Sequence, residues 1–176
     1  SITKYNKFEA NRNNLSHFSV RSLCVDRAGT LWVGTYSGGV NYYNPLNNRF
    51  VFYHPLGNSE QKLYNIFGPM VYSTGSLWIA TEGGGLLQFN PATKEYTNYL
   101  LEERPVGMHN KNIIKSLMIE RESIWCGTNN GGLYRFHIPT KRFSLIHQFN
   151  EKNLGIYSIY RDSNEDIWLG TTSRQG

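Results

Sequence analysis

Cysteine is scarce in this chain: Cys24 and Cys126 are the only two among 176 residues. They fall at different strand positions in units that are not adjacent, so a disulfide between them would need an approach the spacing does not favour. Both are expected to be buried free thiols, packed as small hydrophobes. There is no Cys-x-x-Cys pair, and the histidines at 17, 54, 109, 137 and 147 have no metal-ligand spacing. No metal and no cofactor is expected. The glycine pairs are not followed by Lys-Ser or Lys-Thr, so they are not a phosphate loop. A serine elbow and a Cys–His pair are also missing, and no catalytic residue is assigned. Charge is sparse, at 18% of residues, with a formal net charge of +5. The basic residues are scattered, without the stripe that nucleic-acid binding needs. The plain reading of that charge is a solvated surface, and the sharper one is a preference for acidic ligands. No apolar run approaches the roughly 18 residues of a membrane helix. No signal peptide opens the sequence, and Ser1 in place of a methionine predicts a removed N-terminus. No stretch keeps a 3.6-residue period long enough to predict a helix.

Aromatic residues and glycine are plentiful, with 12 Tyr, 9 Phe, 4 Trp and 17 Gly. They are arranged in a repeat. Gly29-Thr30-Leu31-Trp32-Val33-Gly34-Thr35 returns as Gly75-Ser76-Leu77-Trp78-Ile79-Ala80-Thr81. It returns again as Ser123-Ile124-Trp125-Cys126-Gly127-Thr128 and as Asp166-Ile167-Trp168-Leu169-Gly170-Thr171. Trp32, Trp78, Trp125 and Trp168 stand 46, 47 and 43 residues apart. A period of forty-odd residues, rich in strand formers and glycine turns, predicts an all-β fold: a β-propeller with one four-stranded antiparallel blade per repeat. The expected divisions are an outer strand of a preceding blade and a loop at 1–14, blade one at 15–55, blade two at 56–101, blade three at 102–149, and the first two strands of a fourth blade at 150–176. The count comes to fifteen strands, one short of the sixteen in a closed four-bladed ring, which predicts a piece of a larger propeller. A ring closed by pairing the two ends is the alternative. Counting back from Trp78 puts Gly68-Pro69 inside an inner strand, so a bulge or kink is expected there.

The recurring tryptophan is most simply packing between blades. The threonines that end the motif (Thr35, Thr81, Thr128 and Thr171) read as hydrogen bonds within turns or between blades. Asp26, Glu120 and Asp162 occupy equivalent places before the first turn, with Tyr72 at that place in repeat two. Such residues cap turns. On separate blades they are poorly placed for the 5–10 Å spacing of a catalytic carboxylate pair. What remains is a set of variable loops on a constant frame, which is how scaffolds carry binding. The loop between the second and third strands reads Tyr36-Ser37, Glu82, Asn129-Asn130 and Ser173-Arg174 in the four repeats. The loop leading into the inner strand includes Arg104 and His109 in repeat three. Tyr36, Glu82, Asn129, Asn130, Arg174, Arg104 and His109 are the candidate ligand-binding residues, able to hydrogen-bond and stack on a sugar.

The units resemble the two-component regulator propeller repeat. The resemblance rests on Val20-Arg21-Ser22-Leu23, Asp26, Gly29, Leu31-Trp32-Val33-Gly34-Thr35, Gly38-Gly39-Val40, Tyr43-Asn44-Pro45 and Phe50, and it runs over nearly the whole chain. It implies a non-catalytic sensor module of a hybrid two-component signalling protein of Bacteroides-type bacteria. In that family such propellers are periplasmic, and a membrane helix joins them to a histidine kinase, a receiver and a DNA-binding domain. They respond to oligosaccharides and regulate genes for glycan use. The implied partners are an oligosaccharide, further blades of the same parent chain and a second copy in a homodimer. This segment itself is expected to contact no nucleic acid and to cross no membrane. Gly68-Pro69 and the missing glycine pair after Thr171 depart from the pattern. Two other readings stay open: a protein-docking scaffold, and a propeller lyase that would need a histidine and an acid gathered with a metal at the channel.

Overall fold

A computed structural model describes residues 14–44, 49–53, 67–102, 111–150 and 154–172. Every regular element in it is a strand. Strands β1 (Val20–Val25), β2 (Leu31–Thr35), β3 (Val40–Asn44) and β4 (Arg49–Tyr53) form one antiparallel sheet in sequence order. β5 (Phe67–Ser73), β6 (Ser76–Thr81), β7 (Leu86–Asn90) and β8 (Glu95–Tyr99) form a second. β9 (Ile114–Glu120), β10 (Ser123–Thr128), β11 (Gly132–His137) and β12 (Arg142–Gln148) form a third, and β13 (Gly155–Arg161) pairs with β14 (Ile167–Thr172). The first strands of successive sheets lie side by side, β1 on β5, β5 on β9 and β9 on β13. They are therefore the inner strands of neighbouring blades. Of the segment expected to hold an outer strand and a loop, 1–14, residues 1–13 lie outside the described residues.

The blades are joined through the tryptophans. Trp32 of the first sheet packs with Met70, Leu77, Ile79, Leu87 and Phe89 of the second. Trp78 of the second packs with Ile114, Ile124, Cys126 and Phe136 of the third. Trp125 of the third packs with Leu154 and Ile156 of the fourth. The indole of each blade thus fills the gap to the blade after it. Trp78 is fully buried, its ring centre 5.4 Å from that of Phe136. Trp168, with no following sheet among the described residues, is 62% exposed. On the opposite end, Leu23 and Val25 of β1 face outward as well, exposed by 62% and 63%. The arc has two open apolar faces.

Small residues set how closely strands and sheets approach. A Cβ on Gly127 would lie 2.3 Å from Ser116 Oγ and 2.6 Å from Ile156 Cγ2, so only glycine fits where the third sheet meets the fourth. Ser116 Oγ–H there donates to the Ile156 carbonyl at 2.7 Å, a buried bond between blades. The threonines bond within turns: Thr35 Oγ1 donates to the Gly39 carbonyl at 2.9 Å, Thr81 to Gly85 at 2.8 Å and Thr128 to Gly132 at 3.1 Å. Cys126 is buried and Cys24 half-buried, and burial pushes both thiols above their ordinary range.

The carboxylates before the first turn hold the tryptophans. Asp26 accepts from the Ala28 and Thr30 amides, both at 2.9 Å, and from Trp32 Nε1 at 3.0 Å. Asp162 accepts from the Asn164 and Asp166 amides and from Trp168 Nε1 at 2.7 Å. Glu120 accepts from Trp125 Nε1 at 2.5 Å and pairs with Arg161 of the next blade, also at 2.5 Å. Burial alone would raise the Asp26 carboxyl, but the indole and amide N–H groups together outweigh it and leave it below the ordinary range. The Trp125 N–H bond is the largest influence on Glu120 and holds it low against burial. The second blade corrects the sequence alignment. Its turn is the two residues Thr74-Gly75, with Ser73 paired to Ser76, just as Glu120 pairs to Ser123. Trp78 stands opposite Val71 as Trp125 stands opposite Met118. Ser73, not Tyr72, therefore occupies the carboxylate position. A serine lacks the reach, and Trp78 Nε1 is buried without a hydrogen-bond partner.

Three outcomes follow from this packing, all read by urea denaturation. Trp78→Ala should cost about 3–5 kcal/mol, and Trp168→Ala less than about 1 kcal/mol, as for a surface change; equal losses would break the blade-to-blade assignment. Ser73→Glu should gain roughly 1 kcal/mol by giving the Trp78 indole an acceptor. That gain should vanish in a Trp78→Phe background, and a gain that persists there would have another source. Glu120→Gln should be less stable than the parent at neutral pH. The carboxylate contribution is complete above the ordinary carboxylate range and is lost as pH falls through the lowered folded value. The gap between the two proteins must therefore close in acid, and a gap independent of pH would contradict the role given to Glu120.

Candidate functional site

The inner strands carry the same irregularity at the same place. In β1 the pairing with β2 slips between Val20 and Ser22, leaving Arg21 as an extra residue. In β9 it slips across Lys115, and in β13 across Tyr157. In β5 it slips between Phe67 and Met70, where Pro69 has no N–H to give the ladder. The bulge expected at Gly68-Pro69 is present, and it is one of four. A bulge turns one side chain out of the regular alternation. Here it presents Arg21, Lys115 and Tyr157, with Gly68 at the matching place in the second blade.

These residues line a cavity of about 500 Å³ together with Tyr36, Pro69, Glu82 and Ile114. All four sheets contribute to it. The second wall comes from the loops after the second strands. Thr35 and Thr81 close those loops through their hydroxyls, and the Tyr36 amide donates to the Ser19 carbonyl at 2.9 Å. Glu82 makes an isolated antiparallel bridge to Ile113, just before β9 of the third blade. The leading segments are pinned by buried amides. Asn41 Oδ1 accepts from the Ser16 amide at 3.0 Å, and Asn112 Oδ1 accepts from the Leu101 amide at 2.7 Å. Loops held this way present their side chains in a defined geometry.

Two side-chain contacts dominate the cavity. Lys115 Nζ donates to Glu82 Oε1, joining the third blade to the second. The Arg21 guanidinium carbon lies 4.8 Å from the centre of the Tyr36 ring. Lys115 Nζ is also 5.7 Å from the Tyr157 ring centre, and Tyr157 Oη–H donates to Asn129 Oδ1 at 3.3 Å. Stacked cations of this kind gain modestly from the ring and keep their N–H groups available. The lining therefore offers two aromatic faces, two cations and one carboxylate, which suits hydrogen bonding and stacking of a polar ligand.

Of the candidate residues named from the sequence, Tyr36 and Glu82 line this cavity, and Asn129 touches it through Tyr157. Asn130 does not line it. Its backbone carbonyl accepts from Gln148 Nε2 at 2.7 Å, and its side-chain nitrogen is buried and unpartnered. Arg104, His109 and Arg174 lie outside the described residues. Sequence reasoning missed Arg21, Lys115 and Tyr157. The available signal was a polar or aromatic residue recurring directly after a branched apolar one near the start of three inner strands (Val20-Arg21, Ile114-Lys115 and Ile156-Tyr157).

The sequence model of the two component regulator propeller family matches residues 15–37 and 150–173. No curated protein sequence matches the chain. Among solved structures, one described as the extracellular domain of a hybrid two component system of B. thetaiotaomicron is 22% identical, with a TM-score of 0.71 over 87% of this chain and 20% of that one. The WD40 propeller domain of Doa1 is 11% identical, with a TM-score of 0.69 over 90% of this chain and 50% of that one. The computationally designed Ika4 protein is 12% identical, with a TM-score of 0.59 over 88% of this chain and 92% of that one. At these identities the structures show the fold alone. The chain spans about 20% of the length of the B. thetaiotaomicron domain. The fold is all-β, made of β-propeller blades, and two stretches of the chain match the model of the two component regulator propeller.

Proposed function

We propose that this chain is a non-catalytic ligand-binding propeller module of a hybrid two-component signalling protein, responding to an oligosaccharide and so regulating genes for glycan use. The observation that carries the reading is the cavity. Four inner-strand bulges and two turn loops converge on one polar, aromatic-walled space. Tyr36 and Tyr157 offer ring faces for sugar carbons, and Glu82, Lys115, Arg21 and Asn129 offer hydrogen bonds for hydroxyls. A non-catalytic role is supported by what the acids do, since Asp26, Glu120 and Asp162 are engaged with indoles and backbone amides. The histidines are dispersed: His17 stacks on Phe18 at 4.5 Å and His147 lies against Phe149 at 4.4 Å. Placement in the periplasm, in a parent carrying a histidine kinase, is supported by the family match and by the extracellular domains that share the fold. The open faces at Trp168 and at Leu23 and Val25 suit further blades of the same parent chain, each seated as the described blades seat one another. Signalling would pass through a homodimer with two arrangements that bind the ligand unequally.

The test is isothermal titration of the full parent propeller with defined oligosaccharides, neutral and acidic. One size-selective, saturable ligand is expected. Tyr36→Ala and Tyr157→Ala should each weaken it roughly tenfold, about 1.4 kcal/mol, with an unchanged melting temperature. A folded parent that binds none of a broad panel rules out direct sugar sensing and turns attention to a protein ligand.

A further inference from the structure

The charges lining the cavity do not balance. Arg21 and Lys115 are cations, Glu82 is the single carboxylate, and the other lining residues (Tyr36, Tyr157, Gly68, Pro69 and Ile114) are neutral. Glu82 is already paired with Lys115. That leaves Arg21, and among the described residues no carboxylate pairs with it. Its guanidinium carbon lies over the Tyr36 ring at 4.8 Å, a cation–π contact that uses none of its N–H groups. A guanidinium fork resting on an aromatic face, with no carboxylate partner among the described residues, is suited to a two-oxygen anion. A site built only for neutral sugar hydroxyls has no need of an unmatched cation.

The surroundings fit the same chemistry. Gly68, which occupies the bulge position that Arg21, Lys115 and Tyr157 fill elsewhere, contributes no side chain. A Cβ there would make only ordinary contacts, the nearest at 3.4 Å to the Ala80 carbonyl, so the space on that side is not needed for packing. Lys115 has three donors and gives one to Glu82. Glu82 thus aims the ammonium group, and the remaining N–H bonds can serve a second oxygen of the ligand. The two cations stand on the first and third blades, on either side of the vacant position on the second.

We propose that the ligand of this cavity is an anionic saccharide, carrying a carboxylate or a sulfate ester that Arg21 holds through its guanidinium fork, with Lys115 as the second contact. This rests on the oligosaccharide reading above and narrows it to a charge class. Uronate and sulfate ester present the same paired oxygens, so the residues named here accept either.

The experiment titrates the full parent chain with three tetrasaccharides: tetragalacturonate, a sulfated galactan fragment without carboxylates, and neutral galactotetraose. Inorganic sulfate is titrated separately, with the NMR signals of Tyr36 and Tyr157 as the readout. One acidic tetrasaccharide is expected to bind at least about tenfold tighter than the neutral one, and more weakly as salt rises. Arg21→Gln should remove that preference, weakening the acidic sugar far more than the neutral one, with the melting temperature unchanged. Glu82→Gln, which releases Lys115, should keep or raise acidic affinity. The ratio between the uronate and the sulfated fragment identifies the anion. Equal binding of the neutral sugar, or an acidic affinity untouched by Arg21→Gln, overturns the anionic proposal and leaves sugar sensing standing. Sulfate shifting both tyrosines in the parent but not in Arg21→Gln, with no tetrasaccharide bound, upholds the anion site and removes the sugar. Silence from every probe overturns both.

Discussion

Each blade is completed by the blade that follows it. The indole on the second strand is too large to be covered by its own four-stranded sheet, and it is buried only when the next sheet arrives. This single dependence accounts for much of the rest. It demands small residues where sheets touch, hence Gly127 against Ile156. It favours an acceptor for the indole N–H, which the carboxylates before the first turn supply in three blades and which Trp78 goes without. It also makes stability additive along the arc, since each interface is a nearest-neighbour contact. Burial rises toward the middle for that reason: β6 and β10 are buried throughout, and β14 alternates between half-buried and exposed.

The inner strands answer a second demand. If they were regular, the side chains near their starts would alternate between the faces of the blade and meet only the neighbouring sheets. The bulge breaks that alternation at one residue per blade. A propeller can therefore keep its apolar packing constant and vary one position for binding. Arg21, Gly68, Lys115 and Tyr157 include two cations, a glycine and an aromatic, whereas Val20, Phe67, Ile114 and Ile156 just before them are all apolar. Ile114 and Ile156 are buried. The contrast within a two-residue step separates frame from function more sharply than either residue does alone.

That contrast also explains what the sequence did and did not disclose. The tryptophan period, the glycine turns and the strand order were legible because each is enforced by packing or by backbone geometry within one repeat. Gly29, for example, takes φ 81° in its turn, a left-handed conformation that glycine favours. The loop residues Tyr36 and Glu82 were legible as variable positions on a constant frame. Arg21, Lys115 and Tyr157 were not, because a polar residue inside a strand reads as a solvent-facing one unless the bulge is known. The identity of residue 73 was misplaced for a related reason. The shorter Thr74-Gly75 turn shifts the register by one, and a one-residue shift moves every assignment on the strand. Counting from a landmark works only up to the first turn of changed length.

The cavity's construction has a mechanical consequence. Tyr36 and Arg21 belong to the first blade, Glu82 to the second, Lys115 to the third and Tyr157 to the fourth. The Lys115–Glu82 pair crosses from the third blade to the second, and the Tyr157–Asn129 bond from the fourth to the third. A ligand bound on one loop of one blade could stabilise that loop and nothing more. A ligand that reaches several of these side chains is sensitive to the angles between their blades, because those angles set the distances between its contacts. Whatever free energy distinguishes two arrangements of the arc must come from such differential contacts. With lining side chains on the inner strands of the first, third and fourth blades and on a loop of the second, recognition of such a ligand would be tied to the geometry that the fold itself depends on.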